Sequence, residues 1–170
     1  VHGTRQVIDV LETSVFNWDV YPKFSELRND FGSVLDYCEF EFRSAFTIGS
    51  LSIEAIEVDH QGPSAGFIVD DGDAIVAFTG DTSETSEFWQ TINERPSIDA
   101  VFVECSFPNR LQSLATASHH LTPSSLVNEI SKLDRKISRI LITNIKASYR
   151  DEVIAELSEI GDERVAVTVI

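Results

Sequence analysis

The run Ala74-Ile75-Val76-Ala77-Phe78-Thr79-Gly80-Asp81-Thr82 constrains this chain more than any other segment. An apolar stretch of strand length stops at a glycine, and an acid follows at once. A buried strand delivers the side chain at its end to one fixed place, and glycine lets the backbone turn there without a Cβ clash. Two further candidates stand at comparable positions. His60 follows Ile56-Glu57-Val58-Asp59, and the pair His119–His120 comes just before a helix start. A carboxylate held rigidly, with imidazoles arriving from other element ends, is an arrangement that binds a metal ion.

The surrounding pattern predicts the scaffold. Residues 4–16 read as a helix with Thr4 as its cap. Residues 16–24 are aromatic and broken by Pro22, which predicts a loop packing its rings onto the core. Residues 35–43 alternate acids with apolar groups, as a half-exposed strand does. Strands are also expected over 46–48 and 51–58. Two more, 66–69 and 74–78, flank Asp70-Asp71-Gly72-Asp73, a strong hairpin signal. A helix over 83–93 and a buried strand over 98–104 follow, then a loop from 108 to 120. Thr122-Pro123 opens a helix running to 133. A strand over 137–143, a helix over 151–160 closed by Gly161, and a strand over 164–170 complete the chain. Strands and hairpins fill the first half, and helix alternates with strand in the second. The expected fold class is α+β or α/β, with sheets covered by helices in a single domain over residues 1–170.

At 170 residues and 42% apolar content the chain can form a real core; a domain of this size buries roughly 70% of its unfolded surface. No apolar stretch approaches the ~20 residues that span a bilayer, and no signal-like segment opens the chain. The opening Val1-His2-Gly3-Thr4 lacks an initiator Met and is expected to lie inside a longer, here incomplete, domain. Lys plus Arg is 13 and Asp plus Glu is 28, a net charge of −15. Such a surface repels phosphate backbones, which argues against nucleic acid as a partner. A small anionic substrate is less affected, because metal cations outweigh a diffuse field locally. Otherwise the acidity simply solvates helix faces. Cys38 and Cys105 are far apart, show no CxxC spacing and are expected to be buried free thiols. A homodimer is left open, as is the compartment, with the cytoplasm preferred to the periplasm.

Taken singly, each site candidate has a plain structural reading. A histidine at a strand end is more often a hydrogen-bonded surface group than a ligand. Asp81 alone reads as a helix cap. Glu104 ends an apolar strand and is costly there unless it accepts hydrogen bonds from a histidine or from backbone N–H groups. An imidazolium at residue 119 or 120 would face the positive end of the following helix, which favours proton release.

Taken together, the ordered motifs resemble the metallo-β-lactamase superfamily. They are His60, Thr79-Gly80-Asp81-Thr82, Glu104 with Ser106-Phe107-Pro108-Asn109, His120-Leu121-Thr122-Pro123, and Ile142-Thr143-Asn144-Ile145-Lys146. Within that superfamily, 103–109 followed by 120–123 is similar to the class II cyclic-nucleotide phosphodiesterases, as are His2-Gly3-Thr4 and the segment from Phe16-Asn17 to Tyr21-Pro22. The resemblance implies part of a four-layer αββα sandwich and hydrolysis of a 3′,5′-cyclic nucleotide, cyclic AMP among them. It implies two divalent ions, zinc first, with manganese or iron as alternatives. It casts His60 as a metal ligand and Asp81 as the bridge between ions. His120 becomes the acid on the leaving oxygen, Glu104 the group that orients it, and His119 a secondary candidate. The Trp18–Tyr21–Phe24 loop is the candidate apolar slot for the purine.

Two departures accompany the resemblance. The His-x-His-x-Asp-His segment of the superfamily is absent from these residues and is expected before Val1. Asn144 stands where the family places its last metal-binding histidine, and an amide oxygen is a weak donor to zinc. A weakened metal site, an inactive relative serving as a binding or structural domain, and a deliberate substitution all fit this residue. An RNA-processing endonuclease of the same fold is the rival enzyme, and the acidic surface counts against it.

Overall fold

The computed structural model describes residues 1–134, 137 and 139–167. The chain divides into two compact units, 1–44 and 45–170.

The first unit holds, in order, β1 (His2–Gly3), α1 (Arg5–Val10), β2 (Arg28–Asn29), β3 (Gly32–Ser33) and β4 (Cys38–Glu39). Thr4 caps α1 by accepting from the Val7 N–H at 3.4 Å, and a π-helical turn, Leu11–Val15, prolongs the helix. β1 pairs in parallel with β4, and β2 with β3 as a short antiparallel hairpin. The strand expected over 35–43 shrinks to Cys38–Glu39. Pairing over two residues buries no face, so Cys38 is exposed, contrary to expectation. The aromatic loop also differs from its expected packing. Phe16 stacks edge-on with Phe24 at 5.4 Å, but Trp18 and Tyr21 are 53% and 55% exposed.

The second unit is built on a seven-stranded sheet among the described residues, ordered β11-β10-β9-β8-β7-β6-β5. Its strands and helices are β5 (Ala45–Ile48), β6 (Leu51–Glu57), β7 (Ala65–Asp70), β8 (Ile75–Phe78), α2 (Glu87–Glu94), β9 (Ala100–Glu104), α3 (Gln112–Ala117), α4 (Pro123–Ile130), β10 (Ile140–Thr143), α5 (Arg150–Glu159) and β11 (Val165–Val167). β5 to β8 form an antiparallel meander, and β8 to β11 run parallel. The Asp71-Gly72 turn joins β7 to β8. Asp71 accepts from the Ala74 N–H at 2.8 Å and the Asp73 N–H at 3.0 Å, and these bonds hold its carboxyl below the usual range.

Alternation along the strands supplies the core. Ile56, Ile68, Ala77, Val101, Val103, Ile140 and Ile142 meet Phe88, Trp89 and Ile92 of α2, Leu126 and Ile130 of α4, and Val153 and Leu157 of α5. Full burial of each large side chain contributes about 1.5–3 kcal/mol. Gly66 permits the close approach of α2: a Cβ there would lie 2.8 Å from the Phe88 ring and 2.9 Å from the Phe78 carbonyl oxygen.

The expected loop from 108 to 120 is partly helical, with a 3-10 turn at Asn109–Leu111 and then α3. Only Ala115 of α3 is buried, so its sequence carries no apolar period. The helix expected from residue 83 begins later, at Glu87. The expected strands over 137–143 and 164–170 are seen at Ile140–Thr143 and Val165–Val167, and residues 138 and 168–170 lie outside the described residues. No described helix is long and apolar enough to cross a membrane.

Cys105 is fully buried. Burial pushes its thiol well up, and repulsion from Glu104 and Glu156 adds to this. A thiol reagent is expected to modify Cys38 in the native chain and Cys105 only after denaturation. Rapid native labelling of Cys105, read by peptide mass, would contradict this packing.

Candidate metal centre

β6, β8, β9 and β10 point the same way, because β7 alone is antiparallel between β6 and β8. Their carboxyl ends therefore share one sheet edge, the edge where open α/β sheets place ligands. His60, Asp81, Glu104 and Asn144 follow or end those strands.

Thr79 continues the ladder past β8, its N–H donating to the Phe102 carbonyl at 2.9 Å. Its hydroxyl accepts from the Glu104 N–H at 3.1 Å and donates to the Gly80 carbonyl at 2.8 Å. Gly80 then turns with φ +63°, and a Cβ there would sit 2.9 Å from the Ala65 carbonyl oxygen. Both facts require glycine. Asp81 caps no helix, since α2 begins after Ser86, so its plain helix-cap reading fails. The Ser83 N–H donates to the Asp59 carbonyl at 2.6 Å, which stitches the Asp81 loop to the His60 loop.

One ligating atom from each of His60, Asp81 and His120 lies within 4.8 Å of the others. His60 Nδ1 lies 3.0 Å from the His119 carbonyl oxygen and therefore carries the proton. His120 Nδ1 lies 2.6 Å from Glu104 Oε1. Among the described contacts Nε2 of each ring is left for a cation or a substrate, the orientation that second-shell acceptors impose on metal-site histidines. An imidazole and a carboxylate so placed, with the second imidazole beside them, are donor types that suit a divalent cation such as zinc, manganese or iron.

Glu104 is 1% exposed and His120 is 8% exposed. Besides His120, Glu104 accepts from the Thr82 N–H at 3.1 Å and the Leu121 N–H at 3.3 Å. Burial raises its carboxyl above the usual value, while the His120 bond and the two backbone bonds pull it down. His119 faces elsewhere. Its backbone has φ +54° and its Nδ1 lies 3.0 Å from Asp59 Oδ1. With Gln61 donating to the Ala117 carbonyl at 3.3 Å, the loops at 59–61 and 117–119 are strapped together. His119 meets His60 through its carbonyl, and its ring lies edge-on to the His60 ring at 6.5 Å between centroids.

Asn144, also in left-handed backbone at φ +57°, donates from Nδ2 to Asp81 Oδ1 at 2.6 Å and to Ser106 Oγ at 3.3 Å. Ser106 Oγ in turn donates to the Asn144 carbonyl at 3.1 Å. Sequence reasoning missed Asp59, Ser106 and Glu129 as supports. Glu129 had a usable signal: it falls within the Leu126–Ile130 apolar stripe of α4, where an acid must have partners.

This architecture and this edge define a metallo-β-lactamase fold. The fold is shared with YhfI of Bacillus subtilis (TM-score 0.72, 15% identity, 98% of this chain and 61% of that one). Zn2+-bound PqqB of Methylobacterium extorquens is similar at TM-score 0.70 and 12% identity, with the same coverages of 98% and 61%. Human tRNase Z, short form, gives TM-score 0.53 and 17% identity over 72% of this chain and 42% of that one. The family model of the class-II cAMP phosphodiesterases matches residues 1–150, and the chain belongs to that family. A probable 3′,5′-cyclic-nucleotide phosphodiesterase of Yersinia pestis is 25% identical over 195 aligned positions, 95% of this chain and 55% of the relative. The chain thus spans about half the length of that curated relative.

Proposed function

We propose that the whole protein hydrolyses a 3′,5′-cyclic nucleotide, cyclic AMP first, in a reaction dependent on divalent cations. The observation that carries this reading is the convergence of His60, Asp81 and His120 at one sheet edge, with His120 backed by buried Glu104. Family membership supports the substrate class.

His60 Nε2 and Asp81 would hold the cation, which would supply Lewis-acid stabilisation of the phosphoryl oxygens. Glu104 fixes the tautomer and aim of His120. In its imidazolium form His120 carries its second proton on Nε2 and passes it to the departing 3′ oxygen. A water molecule supplies the oxygen that bonds to phosphorus as the bond to the 3′ oxygen breaks, and the product is a 5′-nucleotide. A small cyclic ester needs no extended basic groove, which accords with a net charge of −15.

The test is turnover of cyclic AMP by the whole protein, read as 5′-AMP by chromatography. A strong chelator is expected to abolish it, and added zinc, manganese or iron to restore it. Absence of turnover of cyclic AMP and of other 3′,5′-cyclic nucleotides with all three metals would overturn the reading and leave the RNA-processing and non-catalytic alternatives.

A further inference from the structure

Asn144 and Asp81 form the least expected contact of the site. A carboxylate only accepts hydrogen bonds, so the Asn144 group facing Asp81 Oδ1 at 2.6 Å must be the NH2 and not the carbonyl oxygen. An amide NH2 has no lone pair to offer a cation and carries partial positive charge. Asn144 is thus no ligand through the atom it presents there. Its orientation is also held from behind, since Ser106 Oγ accepts from the same Nδ2 at 3.3 Å and is itself anchored by donating to the Asn144 backbone carbonyl at 3.1 Å. The left-handed backbone at φ +57°, which asparagine tolerates better than most residues, holds the side chain in this place.

We propose that Asn144 is a positioning residue that occupies Oδ1 of Asp81, so that Asp81 serves a single divalent cation and does not bridge two. This rests on the hydrolase reading for the presence of a cation. A hydrogen bond to Oδ1 leaves Oδ2 as the Asp81 oxygen that Asn144 does not engage. The amide hydrogens place positive charge against the oxygen that a second cation would need. The centre then resembles a one-ion site in which fixed side chains, His120 among them, take over charge that a second ion would have carried.

The test is metal counting on the whole protein. Protein loaded with excess zinc and then desalted is measured by elemental analysis, and manganese-loaded protein is examined by electron paramagnetic resonance. One zinc per chain and an uncoupled manganese signal are expected. Asn144→His is expected to raise the count to two and to give the coupled signal of a manganese pair. Two ions per chain in the unsubstituted protein would overturn the proposal. So would a count that stays at one in Asn144→His protein, because residue 144 would then not set the limit. The outcomes separate the two readings. Two ions with turnover refute the one-ion proposal and leave the hydrolase reading standing, whereas one ion without turnover of any cyclic nucleotide refutes the hydrolase reading alone. No bound ion under any loading refutes both.

Discussion

Replacing His120 by glutamine is expected to lower kcat for cyclic AMP by roughly 10²–10⁴-fold, the range typical of a lost general acid. Metal content should stay within error of the unsubstituted protein, because on this reading His60 and Asp81 hold the cation. The loss should depend on the leaving group. A 3′ alkoxide needs a proton as it departs, whereas a p-nitrophenolate does not, so p-nitrophenyl phosphodiesters should lose far less rate. Glu104→Gln should show the same leaving-group pattern in milder form. Its amide would turn a donor toward one of three donors, His120 Nδ1 or the Thr82 and Leu121 N–H groups, that now share the carboxylate. A Glu supporting a histidine from behind is worth about 10–100-fold in comparable sites. Equal losses on both substrate types, together with lost metal, would make His120 a ligand and remove it as the acid.

The second large effect concerns stability. Glu129 is wholly buried. It accepts from the Trp89 indole N–H at 2.6 Å and the Thr85 N–H at 3.0 Å, and pairs with Lys132, whose ammonium also donates to the Thr85 carbonyl at 2.8 Å. Glu129→Ala should cost about 3–5 kcal/mol, because the lysine and two N–H donors lose their acceptor at once. For a chain of this size that lowers Tm by roughly 6–20 °C. The double variant Glu129→Met, Lys132→Met should recover part of the loss, since no unpaired charge remains. A single-variant loss below about 1 kcal/mol in calorimetry would mean that the carboxylate is not the buried acceptor described. The site shares in this clamp. Glu104 pins the Asp81 loop at Thr82 and Glu129 pins it at Thr85, so loosening either end frees the carboxylate between them.

Much of the fold was legible in local pattern. The hairpin at Asp71-Gly72, the Thr4 and Thr122 caps and the buried strands at 100–104 and 140–143 all follow from short-range chemistry that the sequence displays directly. α3 was not legible, because a mostly exposed six-residue helix leaves no apolar stripe. Nor was the exposure of Cys38, because an alternating run says nothing about how much of it finds a partner strand.

The site divides along the same line. His60, Gly80-Asp81 and Glu104 could be picked out as candidates because each follows or ends an apolar run, and a buried acid such as Glu104 must have acceptor work to do. Residue type and position along a strand determined that much. Which groups meet was decided only by the three-dimensional arrangement. His119 turns its ring to Asp59, Asn144 offers its NH2 to Asp81, and Glu129 reaches Thr85 across 44 positions of chain. Hydrogen bonds are directional and act over about 3 Å, so strand register and loop backbone angles select partners that no one-dimensional spacing encodes.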